Sequence, residues 1–182
     1  ETLSKILDWN DRGTCVLFGD GAGAAYLEES DKGIISVVQG SIGKKGMVLN
    51  CESRRTHNIF TEAGIEHDYL HMDGQEVYKF AVRQCPKCLL EALEKADMTA
   101  DDIDYFVLHQ ANVRIIESVA KRLKAPVEKF PMTLGYTGNM SAASVPVMLD
   151  SLVRDGGLKR GDKVAMSAFG AGLTYGAIVL EW

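Results

Sequence analysis

An α/β layer architecture is predicted for this 182-residue chain by three features. Short β-type runs alternate with longer amphipathic helical ones, in the order strands, helix, strand, helix, helix, strands. An apolar share of 46% with 25% charged residues is the composition of a globular chain large enough to bury a core. No internal repeat or low-complexity linker divides it, so residues 1–182 read as a single domain.

Thr14–Phe18 is a short apolar β-type run, and Ala24–Glu28 resumes that character after Gly19-Asp20-Gly21-Ala22-Gly23. Gly33–Gln39 is a third strand. Residues 40–69 are polar and punctuated by glycine, with Arg54, Arg55, His57 and His67 scattered through a long excursion. Asp73 followed by Glu76 opens a helix with a capping-box signature, which runs to Ala96. Its inward stripe is Val77, Phe80, Ala81, Leu89, Leu90 and Leu93.

Ile103–Leu108 reads as a buried strand and Val113–Leu123 as a helix with Ile115, Ile116, Val119 and Leu123 inward. A further helix is expected over Ser141–Arg154, stopped by Asp155-Gly156-Gly157. Lys163–Phe169 and Thr174–Glu181 close the fold as two strands joined through Gly170-Ala171-Gly172. In α/β sheets ligands gather beyond the carboxyl ends of strands. His109 and Phe169-Gly170-Ala171-Gly172 both fall there.

Composition excludes several classes. A net charge of −5 is the wrong sign for a chain whose main ligand is nucleic acid. No apolar run reaches membrane-spanning length, and the N-terminus lacks a signal-peptide pattern. A cytoplasmic setting is expected, with the four cysteines reduced. The chain opens Glu1-Thr2-Leu3-Ser4 without a Met, so its natural start is expected elsewhere.

Cys85-x-x-Cys88 could hold zinc or act in redox chemistry, but it has no second ligand pair and sits within the long helix. It is read as two helix cysteines without function, and no metal site is expected. Gly19-x-Gly21-x-x-Ala24 fits a loose dinucleotide fingerprint. The residues after it are strand-like rather than helical, and no acidic ribose partner stands about twenty residues on. A tight turn between sheet strands is expected there, and nicotinamide chemistry is rejected.

His109, at a strand end, and Asn139, at a Gly-Asn turn, supply two neutral hydrogen-bond donors that folding could aim at one oxygen. Taken singly, each has an ordinary explanation: a structural histidine, and a cap for the helix at Ser141. Together with Ala168-Phe169-Gly170-Ala171-Gly172 and Phe18-Gly19-Asp20-Gly21-Ala22-Gly23-Ala24, the strings His109-Gln110-Ala111-Asn112 and Gly138-Asn139-x-Ser141-Ala142-Ala143-Ser144 carry a resemblance. In order and interval they resemble β-ketoacyl-acyl-carrier-protein synthase III of the thiolase-like superfamily. The resemblance covers essentially the whole chain but only the C-terminal half of the family protein.

The resemblance implies the C-terminal αβα half of a five-layered αβαβα fold, with a mixed sheet and helices on both faces. It implies a Cys-His-Asn site whose cysteine belongs to the N-terminal half. Cys15, Cys51, Cys85 and Cys88 are poor substitutes, since the family nucleophile sits at a buried helix N-terminus. The implied reaction moves an acyl group from acyl-coenzyme A onto that cysteine and condenses it with decarboxylating malonyl-acyl carrier protein, to start fatty acid synthesis. Acyl-coenzyme A and malonyl-carrier protein are its substrates, and no separate cofactor is implied.

By motif position, His109 and Asn139 would be catalytic, stabilising the malonyl enolate. Phe169 would shield decarboxylation, and the Ala171 N–H would help form the acyl oxyanion hole, where many relatives have glycine. Arg12 would pack on the coenzyme A adenine. Gly74, Gln75, Tyr78 and Asn112 would line the pantetheine channel, Gln75 standing where asparagine is frequent. Arg114 would dock the acidic carrier protein. The implied partners are acyl carrier protein, the N-terminal half of the same enzyme and a second copy of the complete protein. Two other readings stay open: a Cys-His-Asn ketosynthase of polyketide or quinolone type, and a non-catalytic half that acts only with a partner chain.

Overall fold

A computed structural model of the chain describes residues 1–51, 60 and 69–182. Arg54, Arg55, His57 and His67 lie outside the described residues. The strands are β1 (Ile34–Ser41), β2 (Leu49–Asn50), β3 (His71–Met72), β4 (Tyr105–Leu108), β5 (Lys163–Gly170) and β6 (Thr174–Glu181). The helices are α1 (Gly74–Lys95), α2 (Val113–Leu123), α3 (Leu134–Thr137) and α4 (Ser144–Arg154). The main sheet has the order β1-β6-β5-β4 and is mixed: β4 and β5 are parallel, while β5–β6 and β6–β1 are antiparallel. β2 and β3 form a small antiparallel ribbon apart from it.

The pleat of the sheet sorts its side chains into two cores. Phe106 and Leu108 of β4, Ala165 of β5, and Ala177 and Val179 of β6 point to one face, where they meet Ala81, Leu89 and Leu93 of α1 and Ile116 and Val119 of α2. Phe106 stacks on Phe130 there at 4.6 Å. The alternate residues Val107 and Val164 point the other way, onto Met148 and Leu152 of α4 and the following Leu158. Helices on both faces of a mixed sheet are thus forced by strands that are apolar on both sides.

α1 begins where its sequence says it should. The Asp73 side chain accepts hydrogen bonds from the N–H groups of Gln75 and Glu76, at 3.1 and 3.0 Å. The reciprocal half of a capping box is not made, because the Glu76 carboxylate turns to Lys45 and Lys79 instead, each at 2.8 Å. Those two ammonium groups, the Lys45 contact foremost, hold the Glu76 carboxyl down at about 2. α2 is capped by Asn112, whose side chain accepts from Arg114 N–H at 2.8 Å, and ends at Lys124 with φ +55°. The expected helix over Ser141–Arg154 starts with a 3₁₀ turn at Ser141–Ala143 before α4 proper.

Two predicted strands do not form. Thr14–Phe18 is a run of turns, with Thr14 and Cys15 N–H both donating to Asp11 C=O, and only Phe18 makes a bridge, to Asn139. Ala24–Glu28 pairs with no strand among the described residues and leaves Tyr26 86% and Leu27 82% exposed. β-type residues make a strand only where a neighbouring strand can take their backbone hydrogen bonds, and neither run joins either sheet. The glycine string between them is therefore not a turn joining two strands.

Leu89 is fully buried between α1 and the sheet. Leu89→Ala is expected to destabilise the chain by about 2–5 kcal/mol, read from the urea midpoint.

Candidate active site

The parallel pair β4–β5 sets the first functional group. Leu108 lies opposite Ser167, and the ladder runs one residue further, with His109 N–H donating to Ser167 C=O at 2.8 Å. His109 is thus delivered at the carboxyl end of β4 with a fixed backbone. Its ring meets Phe169, two residues along β5, edge to face at 5.3 Å. Phe80 of α1 braces Phe169 from behind at 6.3 Å. The neighbouring Gln110 is structural: its side-chain amide donates to Leu108 C=O and accepts from Thr133 N–H, at 2.8 and 3.0 Å.

Asn139 is delivered by a different device. Its N–H donates to Leu17 C=O at 3.0 Å, and its C=O accepts from Gly19 N–H at 2.9 Å. The approach is so close that a Cβ on Gly19 would sit 2.2 Å from Thr137 C=O, so only glycine fits there. The glycine string thus clamps the Asn139 loop. The Asn139 side-chain oxygen accepts from Ser141 N–H at 2.9 Å, which leaves its NH₂ end as a donor without a partner among the described residues.

His109, Asn139, Phe169 and Ala171 line one cavity of about 630 Å³, together with Gly74, Tyr78 and Asn112. Gln75, Arg12 and Arg114 are exposed and do not line it. Arg12 lies in the Asp11–Gly13 turn, and Arg114 in the first turn of α2. Phe18, which heads one of the family strings, also borders the cavity, as do Leu17 and Asn50, which were not singled out in the sequence and which nothing in their spacing marks. Ser144 is a second omission. Its hydroxyl lies 2.7 Å from His109 Nδ1, and its only signal was membership of the Gly138–Ser144 string.

The His109 ring is buried, and loss of solvation lowers its pKa from 6.5 to about 4. It is a neutral imidazole at neutral pH. A neutral donor in a cavity of low dielectric that the Asn139 amide also lines is suited to an oxygen on which negative charge develops.

Residues 93–182 match the family model for the 3-oxoacyl-[acyl-carrier-protein (ACP)] synthase III C terminal, and residues 1–46 match that for 3-oxoacyl-[acyl-carrier-protein (ACP)] synthase III. The β-ketoacyl-[acyl-carrier-protein] synthase III of Clostridium novyi (strain NT) is 48% identical over 184 residues, covering 100% of this chain and 57% of that protein. The chain belongs to the synthase III family. In space, it superposes on the 3-oxoacyl-[acyl-carrier-protein] synthase III of Aquifex aeolicus VF5 with a TM-score of 0.88 and 38% identity, over 99% of this chain and 55% of that one. The priming β-ketosynthase of the R1128 polyketide pathway gives 0.84 and 36%, over 98% and 54%. The chain therefore spans little more than half the length of these relatives.

The cysteines of this chain differ in setting. Cys85 and Cys88 are buried within α1, and burial pushes their thiols up to about 12 and about 11. They are protonated and poorly nucleophilic at neutral pH. Cys15 is not on a strand, as expected from sequence, but in the turns after Asp11. Cys51 borders the cavity from the coil after β2. Among the described residues, no group of three His, Cys, Asp or Glu side chains is placed to hold a metal ion.

Between pH 6.5 and about 4 the unfolded chain protonates His109 and the folded chain does not. Stability should therefore fall with pH across that window and lose nothing further below it. In urea titrations at stepped pH, His109→Gln should lack this component of the acid slope.

Proposed function

We propose that this chain is the decarboxylating half of a β-ketoacyl-acyl-carrier-protein synthase III that condenses acyl-coenzyme A, acetyl-coenzyme A foremost, with malonyl-acyl carrier protein. The observation that carries this reading is the pair of oriented neutral donors, His109 and Asn139, in one cavity. In the proposed reaction a cysteine thiolate outside this chain attacks the acyl thioester, and coenzyme A leaves as its thiolate. The malonyl thioester oxygen then sits between His109 and Asn139. The C–C bond to the carboxylate breaks, carbon dioxide departs, and the electron pair passes into the enolate held by the two donors. The enolate carbon attacks the acyl-enzyme, forming the new C–C bond and expelling the cysteine thiolate. Phe169, packed on the His109 ring, keeps water from the departing carboxylate.

The rest of the reading rests on the surface. Gly74, Tyr78 and Asn112 line the cavity wall along which a pantetheine arm would lie, with the exposed Gln75 beside Gly74 in the chain and the exposed Arg12 proposed for the adenine. Ala171, in the turn between β5 and β6, offers its N–H to the tetrahedral acyl intermediate. Arg114 is exposed on α2, and Lys121, Arg122 and Lys124 extend the basic character to its far end, a surface suited to an acidic carrier protein. Apolar groups such as Val16, Tyr26 and Leu27 are left uncovered, which suits packing against the N-terminal half, and the complete enzyme is proposed to be a cytoplasmic homodimer. No helix among the described residues is long and apolar enough to cross a membrane. Likeness to the R1128 priming ketosynthase keeps a polyketide-priming variant as the second reading, separable by acyl-primer preference.

Alone, the 182 residues are expected to form no acyl-enzyme with acetyl-coenzyme A, and addition of a separately made N-terminal half should restore one, read by intact-protein mass spectrometry. A stoichiometric acetyl adduct with turnover on Cys15, Cys51, Cys85 or Cys88 would overturn this. In the reconstituted enzyme, His109→Ala and Asn139→Ala should each lower malonyl decarboxylation by about a hundredfold or more. Acyl transfer to the cysteine should suffer less. Wild-type decarboxylation by Asn139→Ala would sink the assigned role.

A further inference from the structure

Resting on the reading of His109 as a neutral donor, we infer that Ser144 is a positioning residue that selects the donor tautomer of the imidazole, with the proton on Nε2. The Ser144 side chain is fully buried at the start of α4. Among the described residues its Oγ has two hydrogen-bonding neighbours, His109 Nδ1 at 2.7 Å and the backbone N–H of Gln110 at 3.2 Å.

Those two contacts decide where the hydroxyl hydrogen goes. A hydroxyl has one hydrogen to give and two lone pairs to receive. The Gln110 N–H can only donate, so it takes one lone pair. The remaining hydrogen has a single acceptor within reach among the described residues, and that acceptor is Nδ1. An Nδ1 that accepts carries no proton, so in a neutral ring the proton sits on Nε2. The opposite tautomer would set the Nδ1 hydrogen against a hydroxyl whose own hydrogen has nowhere to go, a buried unpaired donor.

The surroundings hold this arrangement in place. Gln110 cannot swing its N–H away, because its side chain is tied to Leu108 C=O and Thr133 N–H. Ser144 heads an eleven-residue helix, whose amino end carries partial positive charge and opposes an imidazolium beside it. The ring cannot turn freely, since Phe169 packs edge to face against it. The second donor obeys the same logic. The Asn139 oxygen is committed to Ser141 N–H, which fixes its amide with the NH₂ outward. Each donor is aimed because its opposite end is already engaged.

The test needs no substrate. The 182-residue chain, labelled with ¹⁵N-histidine, reports the tautomer of each ring by long-range ¹H–¹⁵N correlation, with His109→Gln assigning the His109 signals. The wild type is expected to show a single Nε2–H form. Ser144→Ala should lose that single pattern and show a mixture or the Nδ1–H form, while Ser144→Thr, which keeps the hydroxyl, should retain it. If the alanine variant does not fold, Ser144→Cys, close in shape and a poor donor, carries the same comparison. An Nδ1–H ring in the wild type, or an unchanged Nε2–H ring in both Ser144→Ala and Ser144→Cys, overturns the inference. An unchanged Nε2–H ring in the variants overturns the role of Ser144 alone and leaves the proposed condensation untouched, an Nδ1–H ring in the wild type counts against both, and a failure of the condensation leaves the tautomer result standing.

Discussion

The parallel register of β4 on β5 is the constraint on which the site depends. Two strands that run the same way end on the same side, and here Leu108 ends opposite Ser167. One more ladder bond, from His109 N–H to Ser167 C=O, carries the order past the end of β4. The histidine and Phe169 therefore emerge together. Since side chains alternate along a strand, a slip of one residue would turn His109 away from the cavity. Burial on both faces prevents the slip: Phe106 and Val107 are each fully buried, in opposite cores.

The chemistry uses neutrality rather than charge. Burying a neutral imidazole costs far less than burying an imidazolium, so the same burial makes protonation unfavourable, which is why its pKa falls to about 4. The low dielectric that removes the charge also strengthens the hydrogen bonds the ring can give. Burial acts on Cys85 and Cys88 in the opposite useful sense, holding both as thiols. One physical effect thus favours a donor at His109 and silences two cysteines.

Much of this was legible in the sequence where a signal was local and strong. α2 falls on Val113–Leu123 and β6 on Thr174–Glu181, as expected, because amphipathic periodicity and β-branched runs are decided within a few residues. The α/β layering agrees with the order of elements, and the mixed sheet with helices on both faces is what the resemblance implied. Thr14–Phe18 and Ala24–Glu28 misled, because strand character is a property of the pair and not of the segment. The glycine string was read as a tight turn between strands, because the groups it approaches, Thr137 to Pro146, lie more than a hundred residues away and leave no local signal. Ser144 was invisible for the same reason: its contact with His109 spans 35 residues and leaves no periodic trace. The residues placed around the cavity by resemblance separate by depth, with Gly74, Tyr78 and Asn112 on its wall and Gln75, Arg12 and Arg114 outside.

The clamp of the glycine string on the Asn139 loop gives the two donors unequal local stability. His109 is held by the central sheet, whose hydrogen bonds break only when the β4–β5 pair parts. Asn139 is held by Leu17 and Gly19, in a segment with few buried neighbours of its own, where Val16 and Leu17 are themselves exposed. Proteins open in cooperative pieces of differing free energy, and this segment belongs among the cheaper ones to release. Detachment of the segment around Leu17 and Gly19 would free the asparagine while the histidine stayed in register. In amide exchange, the Asn139 N–H would then lose protection well before the His109 N–H. Half of the donor pair is thus answerable to a foldon at the opposite end of the chain.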